Sequence, residues 1–392
     1  MTDLRIGVIG YGLRAPLVAH AHQPGRGSAV VAVADPRPDR RELAAAHFGG
    51  VFTTDDTAEL LKAELDAVFV LSPDHLHVTH ALAAFDAGVP VYLEKPLAIT
   101  VADADLVLSQ ARDSGVKVYI GHNMRHMSVV QTMRKLVLDG AIGEVQAVWC
   151  RHFVGHGGDY YFKDWHAERA KGTGLLLQKG AHDLDVIHWL AGGYTRRVNA
   201  LGALSVYGRV QDRLAAPEYK TGHDWDEYRT HWPPLAQTGL NPVIDVEDLS
   251  MVNMALDNGV LASYQQCHFT PDYWRNYTVI GTEGRLENIG DTPGSSVHVW
   301  NRRHRGFAEP DVAVRIPEAE GGHGGADPRI VAEFLEFVRS GGTTLTSPVA
   351  AREAVATGCA ATESLRSGGV PVDVPALPAD LVSYFETGQR SA

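Results

Sequence analysis

Cysteine is scarce in this chain, which has three in 392 residues. Cys150, Cys267 and Cys359 are far apart in sequence, and each lies in an apolar or strand-like stretch. Paired or clustered cysteines typify disulfide frameworks and zinc sites. We therefore expect three buried free thiols, no disulfide and no metal site.

The chain also lacks long apolar runs and an excess of basic residues. No run approaches the roughly 18 residues that a membrane span requires, and a strand pattern begins too early for a signal peptide. Lys and Arg number 35 against 47 Asp and Glu, a net charge of −12. Nucleic-acid binding calls for a basic face instead. We expect a cytoplasmic protein with neither a membrane nor a nucleic-acid partner.

What is present suits a large globular protein. The composition is 45% hydrophobic and 21% charged. A chain of this length buries a large core and is expected to divide into two domains.

The first motif is a glycine turn between a strand and a helix. An apolar run over residues 4–9 is followed by Gly10-Tyr11-Gly12-Leu13-Arg14-Ala15 and a helical pattern. Gly10 permits the tight turn, Gly12 lets a pyrophosphate approach, and Ala15 lets the helix pack closely. The helix N-terminus then offers N–H groups to phosphates. The turn predicts a dinucleotide site.

Asp35 ends the second apolar run, at residues 29–34. A carboxylate there accepts hydrogen bonds from the adenosine ribose and repels a 2′-phosphate. This favours NAD over NADP. The alternative stays open because Arg37, Arg40 and Arg41 follow, and one of them could bind that phosphate, stack on adenine or face solvent.

Further strand patterns at residues 67–71, 89–93 and 117–120 alternate with helical stretches at 74–87 and 101–114. Such alternation predicts a doubly wound parallel sheet. Ligands of these sheets bind beyond the carboxyl ends of the strands. The side chains expected there, together with the glycine turn, are Ser72, Pro73, His75, His77, Glu94, Lys95 and Asn123.

At these residues the chain resembles the Gfo/Idh/MocA oxidoreductases, a family of sugar and polyol dehydrogenases with a few NAD-dependent glycosidases. The resemblance covers nearly the whole chain. It rests on the glycine turn, Pro73 with His77, Glu94-Lys95-Pro96, residues 121–125, Gly172-Thr173-Gly174, residues 180–185 and a late hairpin at 280–287.

The alternation of short strands and helices ends after a helical stretch at residues 128–139. Strand patterns at 144–153, 197–207, 249–255, 260–268 and 277–280 surround one strong helix at 179–190. This predicts an α+β domain with a large, mostly antiparallel sheet. We assign 1–125 to a Rossmann domain and 126–392 to a substrate-binding and oligomerisation domain, its last helices, at about 327–339 and 348–366, packing back near the junction. Residues 209–246 form a polar insertion, interpreted as an ordered loop or an oligomer contact.

The resemblance makes Lys95 the catalytic base. Hydride transfer from a sugar requires removal of the hydroxyl proton, and a lysine beside a positively charged nicotinamide ring can serve. Glu94 then contacts the nicotinamide ribose or orients Lys95, and the family tends to have a cis bond before Pro96. The alternative for Lys95 is a surface lysine.

His182 is the second catalytic candidate, on one helical face with Gln178 and Asp185. The resemblance places an aspartate where Gln178 stands. An amide cannot take a proton, so the family's proton relay is in doubt, and Lys179 could add a charge instead. The alternative for His182 is a core histidine.

These residues leave three functions open. The first is a sugar dehydrogenase. The second is an NAD-dependent glycosidase that oxidises C3, eliminates the group at C1, adds water and reduces the ketone again. The third is a non-catalytic sugar sensor, which Lys95 argues against.

A cationic and aromatic segment at residues 152–179 leads into the catalytic helix. In an acidic protein it suggests a substrate with an anionic group, with a solvated, internally paired loop as the alternative. The substrate-binding candidates are Arg125, His152, Trp165, His166, Arg169, Lys179 and Asp183. His323 could cap the pocket, although a simple N-cap at Asp327 is favoured. The resemblance also predicts a homodimer or homotetramer.

Overall fold

The computed structural model describes residues 2–217 and 231–389, and these form two compact units. Unit 1 contains the described residues up to Asn123, together with Ala326–Val355 and the described residues from Leu377 onward. Unit 2 contains Met124–Gly325 and Ala356–Ala376. The predicted domain boundary at residue 125 lies close to the break after Asn123. Two C-terminal segments, which the sequence analysis assigned to the second domain with its last helices packing back near the junction, belong to unit 1.

Unit 1 is built on a parallel sheet of six described strands. These strands are β1 (Leu4–Ile9), β2 (Ser28–Ala34), β3 (Phe52–Thr54), β4 (Ala67–Val70), β5 (Val91–Leu93) and β6 (Val118–Ile120). Their order is β3-β2-β1-β4-β5-β6, which is the order of the doubly wound dinucleotide-binding fold. The order reverses beside β1, so the loops after β1 and β4 border the expected ligand crevice.

The helices and 3-10 turns occupy the connections between strands. The α-helices are Ala15–Val18, Pro38–His47, Thr57–Leu60, His77–Asp86, Val101–Ser114, Ser128–Leu138, Gly157–Tyr160, Arg169–Gly172, Leu175–Gln178, Gly180–Ala191, Gly322–Ser340, Pro348–Arg366 and Ala379–Glu386. The 3-10 turns are Ala19–Ala21, Asp74–Leu76, Asn123–His126, Trp165–Ala167, Tyr207–Arg209 and Pro234–Ala236. The sequence patterns did not predict Pro38–His47, whose only buried residue is Ala44, because so little of it carries an apolar stripe.

The core of unit 1 joins the sheet to the helix Gly322–Ser340. Phe334 of that helix is fully buried and meets the rings of Phe69 and Tyr92 edge-on, at centroid distances of 5.1 and 5.4 Å. Phe69 belongs to β4 and Tyr92 to β5. This apolar contact explains why a C-terminal segment belongs to the N-terminal unit.

Unit 2 contains a sheet of nine described strands in the order β14-β13-β12-β11-β7-β10-β9-β8-β15. They are β7 (Val145–Val154), β8 (Thr195–Ala203), β9 (Leu249–Leu256), β10 (Leu261–Cys267), β11 (Tyr273–Gly281), β12 (Arg285–Ile289), β13 (Ser296–Trp300), β14 (Val312–Arg315) and β15 (Val372–Asp373). Only the β7–β10 pair among these is parallel. The predicted fold class is confirmed, as is the late hairpin, formed by β11 and β12.

Alternation along the central strands gives the unit 2 sheet two different faces. On β7, Cys150, His152 and Val154 are buried, whereas Trp149 and Arg151 are exposed. The helix Gly180–Ala191 contacts β7 and β10, so nearly every residue of this helix is buried. The buried face of the sheet therefore carries polar side chains directly against a helix.

Three further expectations can be set against the described residues. All three cysteines are free, but only Cys150 is buried, and Cys267 and Cys359 are partly exposed. No described helix combines the length and apolar character needed to cross a bilayer. Residues 218–230 of the predicted polar insertion lie outside the described residues.

Candidate active site

The glycine turn after β1 is shaped by two glycines with different requirements. Gly10 has a φ of +88°, and a Cβ there would lie 2.8 Å from the backbone N of Ser72. A Cβ on Gly12 would meet no described heavy atom within 4 Å. Gly10 is thus needed for the turn, while Gly12 leaves open space on the side where a phosphate would approach.

Asp35 is held in place by the backbone. It is 7% exposed, and its two carboxylate oxygens accept hydrogen bonds from the N–H groups of Tyr11, at 2.8 Å, and Arg37, at 2.9 Å. Tyr11 contributes through its backbone, because its buried ring lies in the core and its hydroxyl is 2.8 Å from Nδ1 of His47. Burial raises the pKa of Tyr11 to about 12.

Arg14 lies in a polar network with Glu94, Asp327 and Asn123. Its guanidinium is 2.7 Å from Glu94 and 3.3 Å from Asp327. Asn123 donates to Asp327 at 3.0 Å. Burial opposes the charge of Arg14, but Glu94 and Asp327 outweigh it and raise its pKa. Glu94 thus contacts Arg14 directly, and Asn123 is linked to Arg14 through Asp327, which we had expected to be only an N-cap.

His77 joins the loops that follow β4 and β5. Its ring is fully buried, with Nδ1 2.7 Å from the carbonyl oxygen of Pro96 and Nε2 3.0 Å from that of Ser72. Burial lowers the pKa of His77 to about 4. Lys95, partly exposed, precedes Pro96 across the cis bond that the resemblance implied. His77 therefore fixes the loop that carries Lys95.

The remaining candidates of unit 1 lie at or near these loops. Leu13, Pro73 and His75 are partly exposed. The Oγ of Ser72 is 2.8 Å from Nδ1 of His80, and Arg40 pairs with Asp39 at 3.0 Å. Arg40 is thus engaged by a carboxylate next to it in sequence.

In unit 2, Gln178 and His182 are both buried, at 6% and 7% exposure. Gln178 ends the helix Leu175–Gln178, and His182 lies in the first turn of Gly180–Ala191. The side chain at 178 is thus an amide in a buried setting. It can hydrogen-bond a hydroxyl but cannot carry a proton away.

The centre of unit 2 is Asp183, which has no exposed surface. Its Oδ2 accepts from Nδ1 of His152 and from the hydroxyl of Tyr264, both at 2.9 Å. Its Oδ1 accepts from Nε of Arg275 at 2.9 Å and from the hydroxyl of Tyr277 at 2.5 Å. Four donors from three strands therefore satisfy one carboxylate.

The charges of this cluster are fixed by burial and by Arg275. Burial alone would raise the pKa of Asp183, but His152 and Arg275 outweigh it and hold the pKa far below the usual range. Burial, with a smaller contribution from Arg275, lowers the pKa of His152 to about 3. At neutral pH, Asp183 is therefore ionised, His152 is neutral, and Arg275 carries the balancing charge.

Sequence analysis found His152 and Asp183 but missed their partners on β10 and β11. Tyr264, Arg275 and Tyr277 are separated from Asp183 by 81 to 94 residues. A signal was available, because Tyr264 and Gln266 stand two residues apart on β10 and His268 follows at the same spacing. Polar residues at every second position of a buried strand indicate a polar inner face.

Lys179 contacts Tyr273 instead of a carboxylate. It is 7% exposed, and its Nζ donates to the Tyr273 hydroxyl at 3.1 Å. Burial lowers the pKa of Lys179. Burial alone would raise the pKa of Tyr273, but Lys179 and Arg275 outweigh it and lower it to about 8.

The arginines predicted to bind an anion are paired within unit 2. Arg125 makes two hydrogen bonds to Asp185, at 2.8 and 2.7 Å. Arg169 donates to the Asp245 carbonyl oxygen and lies 3.2 Å from Glu247. Trp165 and His166 stack on each other, with ring centroids 3.8 Å apart. These contacts support the internally paired loop, the alternative to an anion site.

The residues present fit a dinucleotide, with Gly12 open toward the phosphates and Asp35 oriented for the ribose. Within the described residues, no group of three or more His, Cys, Asp or Glu side chains is arranged to hold a metal ion. The absence of a metal from the chemistry stays a prediction.

Two family models match the chain. Residues 4–122 match "Oxidoreductase family, NAD-binding Rossmann fold", and residues 134–374 match "Oxidoreductase family, C-terminal alpha/beta domain"; both models are of the Gfo/Idh/MocA type. The predicted NAD-binding fold is confirmed.

Similar proteins include several named oxidoreductases. "Putative oxidoreductase YteT" of Bacillus subtilis (strain 168) is 27% identical over 72% of this chain and 75% of its own length. Levoglucosan dehydrogenase of Pseudarthrobacter phenanthrenivorans is 25% identical, covering 73% of each chain. Inositol 2-dehydrogenase 1 of Saccharopolyspora erythraea is 32% identical, but the match spans only 55% of this chain and 62% of that protein. Several other relatives match over little more than half of their length.

Solved structures share the fold. A levoglucosan dehydrogenase in complex with NADH and levoglucosan superimposes with a TM-score of 0.77 at 21% identity, over 95% of this chain and all of that one. At this identity the likeness concerns the fold.

Proposed function

This chain belongs to the Gfo/Idh/MocA family of oxidoreductases, and from that premise we propose that it oxidises a hydroxyl of a sugar or sugar derivative with NAD. The observation that carries the proposal is the placement of Lys95. It follows β5 at the carboxyl edge of the Rossmann sheet, on a loop that His77 holds through the carbonyl oxygen of Pro96. The levoglucosan and inositol dehydrogenases among its relatives support a polyhydroxylated substrate.

The chain's own groups have separate roles in this proposal. Lys95 removes the proton of the reacting hydroxyl. When bound, NAD supplies the acceptor for the hydride. In unit 2, His182 and the amide of Gln178 are the groups proposed to hydrogen-bond substrate hydroxyls. Asp183, whose carboxylate already accepts from four donors, orients His152. Because residue 178 is not a carboxylate, the proton leaves by way of Lys95 and solvent, without the carboxylate relay that the resemblance implied.

The preference for NAD over NADP rests on Asp35. Its carboxylate is oriented by two backbone amides, and a fixed negative charge repels a ribose 2′-phosphate. Arg40 and Arg37 both pair with Asp39, which lowers their availability for such a phosphate. Arg41 donates to the carbonyl oxygens of Asp35 and Pro36.

The substrate is proposed to be neutral. The alternative, a substrate with an anionic group, needed Arg125 and the cations of residues 152–179 to be available to bind that group. Arg125 and Arg169 contact Asp185 and Glu247 instead. Among the described contacts of these proposed cations, Lys179 is the one that donates to a phenol, the hydroxyl of Tyr273.

The deciding experiment combines two readouts on one protein. Purified protein is mixed with NAD and with neutral sugars, anionic sugars and aryl glycosides, and NADH absorbance and aglycone release are followed together. Stoichiometric NADH without aglycone is the expected result. Aglycone release that needs only catalytic amounts of NAD, with no accumulated NADH, would show that the protein is an NAD-dependent glycosidase and not a dehydrogenase. Both enzymes would use Lys95.

A lysine variant tests the base. Lys95→Met is expected to lower kcat by about 1,000-fold, because a positioned general base contributes about 100- to 10,000-fold. The control is Lys62→Met, an exposed lysine of unit 1, which is expected to leave kcat unchanged. Equal activity of the two variants would show that Lys95 is not the catalytic base.

The remaining expectations stay predictions. A homodimer or homotetramer, a cytoplasmic location and the lack of nucleic-acid and membrane partners each need a measurement of their own. Light scattering of the purified protein would decide the first.

A further inference from the structure

The turn Gly172-Thr173-Gly174 holds its middle residue in a backbone conformation that is rare for threonine. Thr173 has a φ of 61° and a ψ of −54°, and the N–H of Gly174 donates to the carbonyl oxygen of Gly172 at 2.6 Å. These are the features of the rare, strained form of the γ-turn. A β-branched residue at positive φ is an outlier, and such outliers persist only where neighbouring contacts enforce them.

Arg366 supplies a contact that enforces this turn. Its Nη2 donates to the carbonyl oxygen of Thr173 at 2.8 Å, and its Nε and Nη2 donate to the two carboxylate oxygens of Glu247 at 2.9 and 3.0 Å. Glu247 also lies 3.2 Å from the guanidinium of Arg169. The N–H of Thr173 donates to the carbonyl oxygen of Arg169 at 2.8 Å. The strained residue is therefore held through both its N–H and its carbonyl oxygen.

The same turn contacts Gln178 in two ways. The carbonyl oxygen of Gly174 accepts from the backbone N–H of Gln178 at 2.9 Å, across the helix Leu175–Gln178. A Cβ added to Gly172 would lie 3.8 Å from Cγ of Gln178, so the side chain of Gln178 packs beside the turn. The backbone and the side chain of Gln178 thus both depend on where the turn lies.

We propose that Thr173 and Arg366 are positioning residues for Gln178: Arg366 keeps the turn in its strained form, and that form fixes the place of the Gln178 carboxamide. The inference rests on the proposed function, in which Gln178, with 6% of its surface exposed, hydrogen-bonds a substrate hydroxyl. A relaxed turn would bring Thr173 to negative φ and redirect the helix Leu175–Gln178. A displacement of about 1 Å in a site can lower activity about 100-fold.

The first test measures the strain. Thr173→Gly and Thr173→Ala are compared by urea unfolding of the full-length protein. At an ordinary φ the glycine variant of such a pair is the less stable one. At the φ of Thr173 the alanine variant keeps the strain and the glycine variant loses it, so the folding equilibrium constant should be about 5- to 30-fold larger for Thr173→Gly. An alanine variant of equal or greater stability would overturn the proposal.

The second test follows Gln178 without turnover. The protein is labelled with ¹⁵N-glutamine, and the Gln178 side-chain amide signals are assigned by their loss in Gln178→Ala. Arg366→Met should shift or broaden these signals, because the turn is no longer held. The matched control is Arg197→Met, a change at an arginine of unit 2 that is 62% exposed and 3.8 Å from Asp373, which should leave them in place. Unchanged signals in Arg366→Met would overturn the proposal.

The third test asks whether Arg366 acts through Gln178. With the best sugar from the panel, Arg366→Met should lower kcat/KM for the sugar about 10- to 100-fold and leave the Kd for NAD unchanged. In a Gln178→Ala background the same change should have little further effect, because the carboxamide that it positions is gone. Independent losses in the two backgrounds would show that Arg366 only stabilises the fold, and would overturn the proposal.

Thr173→Gly separates positioning from stability. This variant should be more stable than Thr173→Ala and still lose about 10-fold or more in kcat/KM relative to the wild type, because its turn is free to relax. Wild-type activity in Thr173→Gly would overturn the proposal. Failure of the proposed function gives a different result, namely Gln178 signals that respond to Arg366→Met in a protein that makes no NADH with any sugar.

Discussion

The two units present their candidate ligand-binding groups in contrasting ways. In unit 1 the ligand side is largely backbone, with a glycine turn, a helix N-terminus and a carboxylate held by two amides. In unit 2 it is made of side chains around one buried charge, Asp183. Backbone sites depend on the space beside a few residues. A buried-charge site depends on every partner of that charge, since an unpaired charge is costly away from water.

Loss of the Asp183 charge should have the largest effect. Asp183→Asn leaves Arg275 buried without its nearest carboxylate, so the free energy of unfolding should fall by about 3 to 5 kcal/mol. The comparison is Asp139→Asn, whose carboxylate pairs with Lys135 where the two side chains are 54% and 74% exposed, with an expected loss below about 1 kcal/mol. Urea unfolding of both variants measures this. Equal losses would show that burial does not distinguish these pairs.

The two glycines of unit 1 should separate stability from binding. Gly10→Ala forces a Cβ onto the backbone of Ser72 at positive φ, which should cost about 1 to 3 kcal/mol of stability. Gly12→Ala should leave the melting temperature near that of the wild type and weaken NAD binding at least about 10-fold, because its Cβ takes the space of the phosphates. Calorimetry gives both quantities. Normal NAD affinity in Gly12→Ala would show that the phosphates of NAD do not bind at this turn.

Acid should weaken both units through their buried histidines. The folded-state pKa values of His77 and His188, each about 4, and of His152, about 3, lie below the ordinary value of 6.5. Below 6.5 the unfolded chain binds more protons, so stability is complete above that pH and falls as pH drops toward about 4. Each histidine contributes up to about 1.4 kcal/mol per pH unit.

Unfolding free energies between about pH 7 and about pH 5 test this slope. His77→Gln should reduce the slope by the contribution of one titrating histidine. His188→Phe should reduce the slope by a similar amount. An unchanged slope in both variants would mean that these rings are protonated in the folded protein.

The smallest effect is expected at Asp35, because the amide oxygen of an asparagine can still accept from one of the two backbone N–H groups that hold the carboxylate. Asp35→Asn should lower the preference for NAD over NADP by about 5- to 10-fold, since the 2′-phosphate is no longer repelled. Isothermal titration with both nucleotides measures the ratio, with Asp86→Asn, a change at an exposed carboxylate of unit 1, as the control. A ratio that does not change would assign the preference to the arginines.

Sequence patterns predicted most of unit 1 and the outline of unit 2. The glycine turn, Asp35 and the loop carrying Lys95 are local signals, and all lie at the carboxyl edge of the predicted sheet. The position of the helix that contains Phe334 could not be predicted from local patterns. Its place in unit 1 depends on the contacts of Phe334 with Phe69 and Tyr92, which are distant in sequence. The role of Arg14 was also altered by a distant residue, Asp327.

The sequence by itself determined the family, the fold class, the NAD-binding turn and the lysine at the strand end, because each depends on residues close together in the chain. Only the tertiary structure decided the partners of Asp183, the pairing of Arg125 and Arg169 with carboxylates, and the protonation of His152. Those depend on which strands lie side by side and on how much water they exclude. Burial and charge at a site are set by contacts across the sheet, which no local pattern records.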